Sequence, residues 1–492
     1  MLCMLNILSA SHRKNPNLIQ ISARPWLYQQ NLTRLSQVPD SVLDDLVKKG
    51  IDSFYLLGVW SVGAYGKNFD RTNQDLLNDY HKYLPDYTTE DAIGCPFAIT
   101  DYSVNSEEIA TESELMQFRE RLNKRNMVLY LDFVPNHSAV DALLINSNPD
   151  LFVRGTFQDA NRQYKNGMYY GGASSWNTVW RDTIQFNYFN PDTVQARIDD
   201  LMRAAKLSDG VRCDVAMMPL NDFFELNWKD IVYQQGYKKP AQEFWKVAID
   251  AVKAKYPDFK FVAEVYDESQ GDTLINLGFD YLYDKVGLYD KLSAGNVEDV
   301  KNYIQTRSAK LGFGTHFVEN HDEARAASHF GSTYVADAAA LVSFTLPGMR
   351  FHFQGQWLGR KNKLEIHLRR SYDMAHDIDQ PTVMDYDILL PILKDAVWHE
   401  GKWTYKDVQG TGDCWRLMAW TWETADQSVL VVVNYSDQMA SGKVRLDVNN
   451  GKIVFEDKMT GMKQEADGQD VRKNGLFVQM DKYWAGIYYY NK

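Results

Sequence analysis

Cysteine is scarce: four residues in 492, Cys3, Cys95, Cys213 and Cys414, widely spaced and without a CxxC pair. That excludes a disulfide scaffold and favours a reducing compartment such as the cytoplasm. No stretch approaches the ~18 consecutive apolar residues that a membrane span needs. The opening Met1–Ala10 carries a short apolar run with no basic segment before it, a poor fit to a secretory leader. A basic stripe is missing as well. The 53 Lys and Arg are outnumbered by 65 Asp and Glu, and a net charge of -12 argues against a nucleic-acid partner. Solenoid repeats and low-complexity tracts are absent. The glycosylation sequons at Asn31, Asn136 and Asn434 say little, because one of them falls among candidate site residues.

What is present fits a large globular enzyme. Apolar residues make up 45% and charged residues 24%, and the length suits a barrel with an appended domain. The 29 Tyr, 23 Phe and 13 Trp offer flat faces for sugar stacking, although burial in a large core accounts for most of them. Strand-like apolar runs alternate with amphipathic segments. The strands expected are Leu18–Ile21, Ser53–Trp60, Met127–Val134, Gly210–Ala216, Phe259–Tyr266, Phe279–Asp284, His316–Asn320 and Gly348–Phe353. Helices are expected over Glu112–Arg125, Asp192–Leu207, Ala241–Lys255 and Thr333–Thr345, the first opened by Thr111 with Glu114 three residues on. Eight such units predict an α/β fold of the (βα)8 TIM-barrel type.

The regular alternation breaks after the third strand. Residues 138–189 are rich in Asn, Gly, Tyr and Trp and read as an inserted subdomain, since a structureless loop of that length is improbable. The barrel then comprises 1–137 and 190–400. From 401 to 492 the helical periods stop and strand-like runs closed by turns predict a C-terminal antiparallel β-sandwich domain. Trp403 and Trp484 there are candidates for binding glucan, but covering the barrel is the commoner job of such a domain.

Four segments place acids where a buried strand runs out: Leu131-Asp132-Phe133-Val134-Pro135-Asn136-His137, Gly210-Val211-Arg212-Cys213-Asp214, Phe261-Val262-Ala263-Glu264 and Phe317-Val318-Glu319-Asn320-His321-Asp322. Barrel enzymes keep their chemistry at these strand ends. Arg212 and Asp214, two apart on a strand, face the same way, with Cys213 turned towards the helical layer. The guanidinium favours a charged Asp214. Glu264 has less evident cationic company, and an apolar wall would keep it protonated. One charged and one neutral carboxyl group can cleave a glycosidic bond with retention if they lie roughly 5–5.5 Å apart. Asp322 could then stabilise the cationic sugar. A single strand-end Asp is commonly a helix cap, and Asp132 alone carries no more than that. Four acids in register, with His137, Arg212 and His321 beside them, favour catalysis.

In order and spacing these segments resemble the four signature regions of the α-amylase superfamily of glycoside hydrolases (family thirteen), over about Ile19 to His367. The resemblance implies Asp214 as nucleophile, Glu264 as acid/base and Asp322 as transition-state stabiliser. It implies that His137, Arg212 and His321 hold the sugar at the cleavage subsite, with Asp132 and Phe97 among the substrate-binding residues. It also makes Asn136 a candidate ligand of a structural calcium, with Asp141, Asp150 and Asp159 as nearby acids; no other cofactor is required. Asn187-Tyr188-Phe189-Asn190-Pro191-Asp192 is similar to the family's link back into the barrel. Around Gly94–Tyr102 the chain departs from the pattern. Phe97 and Ala98 stand where many relatives have a Tyr and some an adjacent Asp that grips terminal sugar hydroxyls, which favours an open, amylase-like cleft.

The expectation is an α-glucan or maltooligosaccharide hydrolase that needs neither nucleic acid nor membrane. A glucanotransferase or sugar isomerase would use the same triad, and a non-catalytic carbohydrate-binding protein would use the same fold. A metal-dependent hydrolase is disfavoured: there is no HExxH, and Arg212 would repel a cation beside Asp214.

Overall fold

The computed structural model of the protein describes residues 11–155, 167–372 and 377–492. Met1–Ala10, with Cys3, and Asp159 lie outside them. Eight parallel strands close into a barrel: Asn17–Ser22, Ser53–Leu57, Val128–Phe133, Gly210–Cys213, Lys260–Ala263, Tyr281–Tyr283, Gly314–His316 and Met349–Phe353. Each pairs with its neighbour in chain order, and the last closes on the first. Side chains fill the interior and helices cover the outside, so both strand faces are buried and the sequence shows apolar runs instead of alternation. Cys213 lies in this core, facing away from Arg212 and Asp214.

Local chemistry sets the helix starts. The Thr111 hydroxyl accepts from the Glu114 N–H at 3.2 Å, and the Glu114 carboxylate accepts from the Thr111 N–H at 2.7 Å, opening Glu112–Asn123. Asn190 caps Pro191–Leu207, whose proline sits where no N–H is needed.

Two expectations need correction. The run Ser53–Trp60 is not one strand: Gly58 takes φ +83°, open to glycine but strained for other residues, and breaks it at Leu57. Trp60–Val62 then pairs with Ile99–Val104, and helices Ala64–Thr72 and Gln74–Tyr83 lie between them, forming an excursion from the barrel. Its helices are short and largely polar, so no apolar run marks them in the sequence. The seventh strand is Gly314–His316, and the acid-bearing Phe317–Asp322 is the loop that follows it.

The chain between the third strand and Asn190 forms a three-stranded antiparallel sheet of His137–Ala139, Tyr170–Ala173 and Thr178–Gln185, with the last in the middle. At the C-terminal end, a six-stranded antiparallel sheet faces a three-stranded one. Alternation divides the larger sheet cleanly. Met418, Trp420 and Trp422 pack with the barrel core, while Leu417 and Ala419 pack towards the smaller sheet. The barrel partner is helix Thr333–Thr345, buried without interruption from Ala336 onward, with the Trp422 indole N–H donating to Thr345 O at 2.8 Å. Trp403 and Trp484 are half-buried against this core, in keeping with a domain that covers the barrel.

Candidate active site

Asp214 and Glu264 are each the first residue beyond a barrel strand, and the backbone ladder continues through both. Asp214 N–H donates to Phe133 O at 2.9 Å and Glu264 N–H to Cys213 O at 3.0 Å. The carboxyl groups are therefore carried on backbone as rigid as the strands themselves.

Arg212 joins them. Its guanidinium is buried, with one amino nitrogen 2.8 Å from Asp214 Oδ1 and the other 2.8 Å from Glu264 Oε2. Asp132 Oδ1 lies 3.6 Å and Asp322 Oδ2 3.9 Å from the same group, and the rings of Phe97 and Tyr283 flank it at 5.0 and 5.6 Å. Burial works against its charge, but Glu264, Tyr283, Tyr55 and Asp214 outweigh it and keep the guanidinium protonated.

Glu264 thus has a cation as close as Asp214 has, contrary to the sequence reading. Its carboxyl is nevertheless raised above the ordinary range, first by burial and then by Asp214 and Asp322, against the opposing pull of Arg212 and Tyr266. Neighbouring backbone aims at the same oxygen: Val215 N–H donates to Glu264 Oε2 at 2.6 Å. Val215 reaches that position with φ +36°, unusual for a β-branched residue and worth roughly 1–3 kcal/mol of strain held by its surroundings.

Two neutral imidazoles complete the pocket. Gln20 Nε2 donates to His321 Nδ1 at 2.7 Å, which leaves the ring hydrogen on Nε2, 3.1 Å from Asp322 Oδ2. Burial, aided by Arg212, lowers His321 well below its usual value, and burial pushes His137 down to about 4. Phe97 stacks on His321 with centroids 5.2 Å apart, and Trp180 lies 5.1 Å from His137. Asp322 stands at the open mouth with 41% of its side chain exposed. The Asn320 carbonyl oxygen Oδ1 fixes its turn by accepting from the N–H groups of Asp322 and Glu323, both at 2.9 Å.

Two sequence-predicted residues sit elsewhere than expected. Asp132 is 2% exposed and lies behind Arg212, accepting from the Tyr55 hydroxyl, so it supports the guanidinium and does not line the pocket. Burial raises its carboxyl to about 7, against Arg212. Asn136 forms a closed amide pair with Gln185: Gln185 Nε2 donates to Asn136 Oδ1 at 2.8 Å, and Asn136 Nδ2 donates to Gln185 Oε1 at 3.0 Å. Asp141 accepts from Tyr65 N–H and Asp150 from Arg154. Among the described residues no group of three His, Cys, Asp or Glu is arranged to hold a metal ion. A hard cation needs several converging oxygens, and this donor set does not fit one.

Sequence reasoning missed Gln20, Tyr55, Gln185 and Tyr266. Of these only Tyr266 left a trace, two residues beyond Glu264 and so on the same side of an extended segment.

The family model for the alpha amylase catalytic domain matches residues 88–409, more than half of the chain. The protein belongs to that family of glycoside hydrolases. The chain is 24% identical to the alpha-amylase MalA of Haloarcula japonica, over 70% of this chain and 48% of that one. It is 23% identical to the probable oligo-1,6-glucosidase 2 of Bacillus subtilis, over 61% of this chain and 64% of that one. The chain therefore spans about half of the first of these curated relatives and just under two thirds of the second. In fold it is similar to an alpha-amylase from Lactobacillus plantarum, with a TM-score of 0.70 at 20% identity over 97% of this chain and 99% of that one.

Proposed function

We propose that the protein is a retaining α-glycosidase that hydrolyses α-glucosidic bonds in α-glucans or maltooligosaccharides. The observation that carries this reading is the single Arg212 guanidinium in contact with both Asp214 and Glu264. Two carboxyl groups spanned by one side chain suit the close spacing of a covalent mechanism better than the wider one that admits water between them.

In the first step Asp214 Oδ attacks the anomeric carbon, the carbon–oxygen bond to the leaving sugar breaks, and Glu264 gives its proton to the departing oxygen. Glu264 is then a carboxylate. It takes a proton from water, whose oxygen attacks the anomeric carbon and releases Asp214. The raised Glu264 carboxyl suits the first step, and a glycosyl group on Asp214 removes one of the negative charges that raises it, which suits the second. Neutral His137 and His321 are able to hydrogen-bond sugar hydroxyls without competing for the charge of Asp214. Asp322 at the mouth is placed to stabilise the cationic ring.

Proton NMR of the first product formed from maltoheptaose tests the reading: the α-anomer is expected, and an initial β-anomer would overturn it. Asp214→Asn is expected to lower kcat at least about 10⁴-fold with circular dichroism unchanged. Product profiles on starch, maltose, trehalose and sucrose separate hydrolysis from transfer, since new reducing ends mark the former and longer oligomers the latter.

A further inference from the structure

The hairpin of the inserted sheet ends in a short turn, Ser174–Trp176, that brings Trp176 against Tyr266, the neighbour of Glu264. Asn177, in the left-handed region at φ +52°, reverses the chain into Thr178–Gln185. The turn is pinned to helix Asn221–Val232, where Asn227 Oδ1 accepts from the Ser175 N–H at 2.9 Å and the Ser174 hydroxyl at 3.2 Å. Trp176 is thereby held edge-on to Phe223 at 5.2 Å and to Tyr266 at 6.3 Å, with 38% of its surface exposed. Tyr266 in turn donates its hydroxyl to Glu264 Oε1.

Tyr266, with Trp176 against it, meets Glu264 at Oε1, whereas Arg212 meets it at Oε2. His137 and His321 both lie in the field of Asp214, and Phe97 stacks on His321 and flanks Arg212. The carboxyl that protonates a glycosidic oxygen lies between the attacked ring and the leaving ring. A flat face beyond it therefore meets the leaving ring. The two oxygens of Glu264 also differ. Oε2 faces only donors, Arg212 and the Val215 N–H, whereas the hydroxyl at Oε1 can donate or accept.

We propose that Trp176 is the stacking platform for the leaving, or accepting, hexopyranose ring and that Tyr266 is a positioning residue that keeps the proton of Glu264 on Oε1. This rests on Glu264 as the acid/base. When Glu264 is protonated, its Oε1–H donates to the Tyr266 oxygen until substrate takes the proton. When it is a carboxylate, the Tyr266 O–H donates back. The inserted sheet thus contributes an acceptor-binding surface to a site otherwise built by the barrel.

The test compares kcat/KM on maltopentaose, whose leaving group is a sugar, with that on α-maltosyl fluoride, whose leaving group has no ring and needs little protonation. Trp176→Ala should lower the first about tenfold and the second less than twofold. Trp176→Phe should recover most of the loss, and the ratio of transfer to hydrolysis at high maltose should fall in Trp176→Ala. Tyr266→Phe should move the alkaline limb of the maltopentaose profile upward, because the lost hydroxyl favoured the carboxylate form of Glu264. Equal losses on both substrates in Trp176→Ala, a change under twofold on maltopentaose, or an unmoved limb in Tyr266→Phe would overturn the proposal. A wild-type protein inert towards both substrates would instead overturn the glycosidase reading.

Discussion

Two walls rise over the mouth of the barrel, and they are fastened by opposite means. The excursion after the second strand, residues 58–104, is held to the segment after the eighth strand largely by charge. Buried Asp70 meets His367 at 3.1 Å, and Arg370 binds Asp86 at 2.9 Å and Asp91 at 2.7 Å, around a small apolar cluster of Tyr80, Leu84, Ala92 and Leu368. The wall after the third strand is held mainly by neutral groups, a β ladder and the Asn136–Gln185 amide pair, with buried Asp182 on its middle strand lying in the field of His367. One reaches the site through Phe97 and the other through His137 and the tip at Trp176. The contrast teaches that pH should loosen the first wall more than the second.

The largest effect is expected where both walls and both carboxyl groups converge. Arg212→Ala leaves Asp132, Asp214 and Glu264 buried without their cation, which should cost about 3–5 kcal/mol in urea denaturation and abolish turnover. Arg212→Lys keeps the charge but cannot span two carboxyl groups, so it should recover stability more than activity.

Breaking the charged wall comes next. Burial opposes the charge on His367, but Asp70 and Cys95 outweigh it and hold the imidazole protonated well above its usual range. The folded state therefore binds a proton that the unfolded chain loses above about pH 6.5, and the stabilisation is complete below that pH and declines as pH rises. Asp70→Asn should cost on the order of 3 kcal/mol at pH 6, and the deficit relative to wild type should shrink at pH 9. A deficit that is independent of pH would place the attachment in packing instead.

The neutral wall gives a smaller and flatter response. Gln185→Leu strands the buried amide of Asn136 and should cost about 1–3 kcal/mol, equally at pH 6 and pH 9. Because an amide pair occupies the candidate cation site, a chelator should leave Tm unchanged. A drop of several degrees would show that oxygens outside this pair hold a metal.

The smallest effect tests the bolt between the walls. Asp141 of the inserted sheet accepts from the Tyr65 N–H at 2.8 Å, at the start of helix Ala64–Thr72. Asp141→Ala should cost about 1 kcal/mol, like other lost caps. Gly63→Ala should do much the same, because its methyl group would land on the Asp141 carboxylate.

The sequence alone determined the eight-unit barrel, the inserted segment, the change of character near Trp398 and the four segments that carry the acids, of which the last is a loop and not a strand end. These are legible because hydrophobic period, caps and strand termini depend on residues a few positions apart. The helical excursion escaped notice because its helices, Ala64–Thr72 and Gln74–Tyr83, are short and polar on average, and Ser53–Trp60 looked continuous because Gly58 reveals its left-handed turn only in the backbone. Tertiary structure decided that one arginine serves two carboxyl groups, that Asp132 stands behind it, that Asn136 spends its oxygen on Gln185, and that Trp176 arrives beside Tyr266. It also decided which way Glu264 is driven. Burial and the field of distant carboxylates are sums over parts of the chain fifty or more residues apart, and no local pattern carries such a sum.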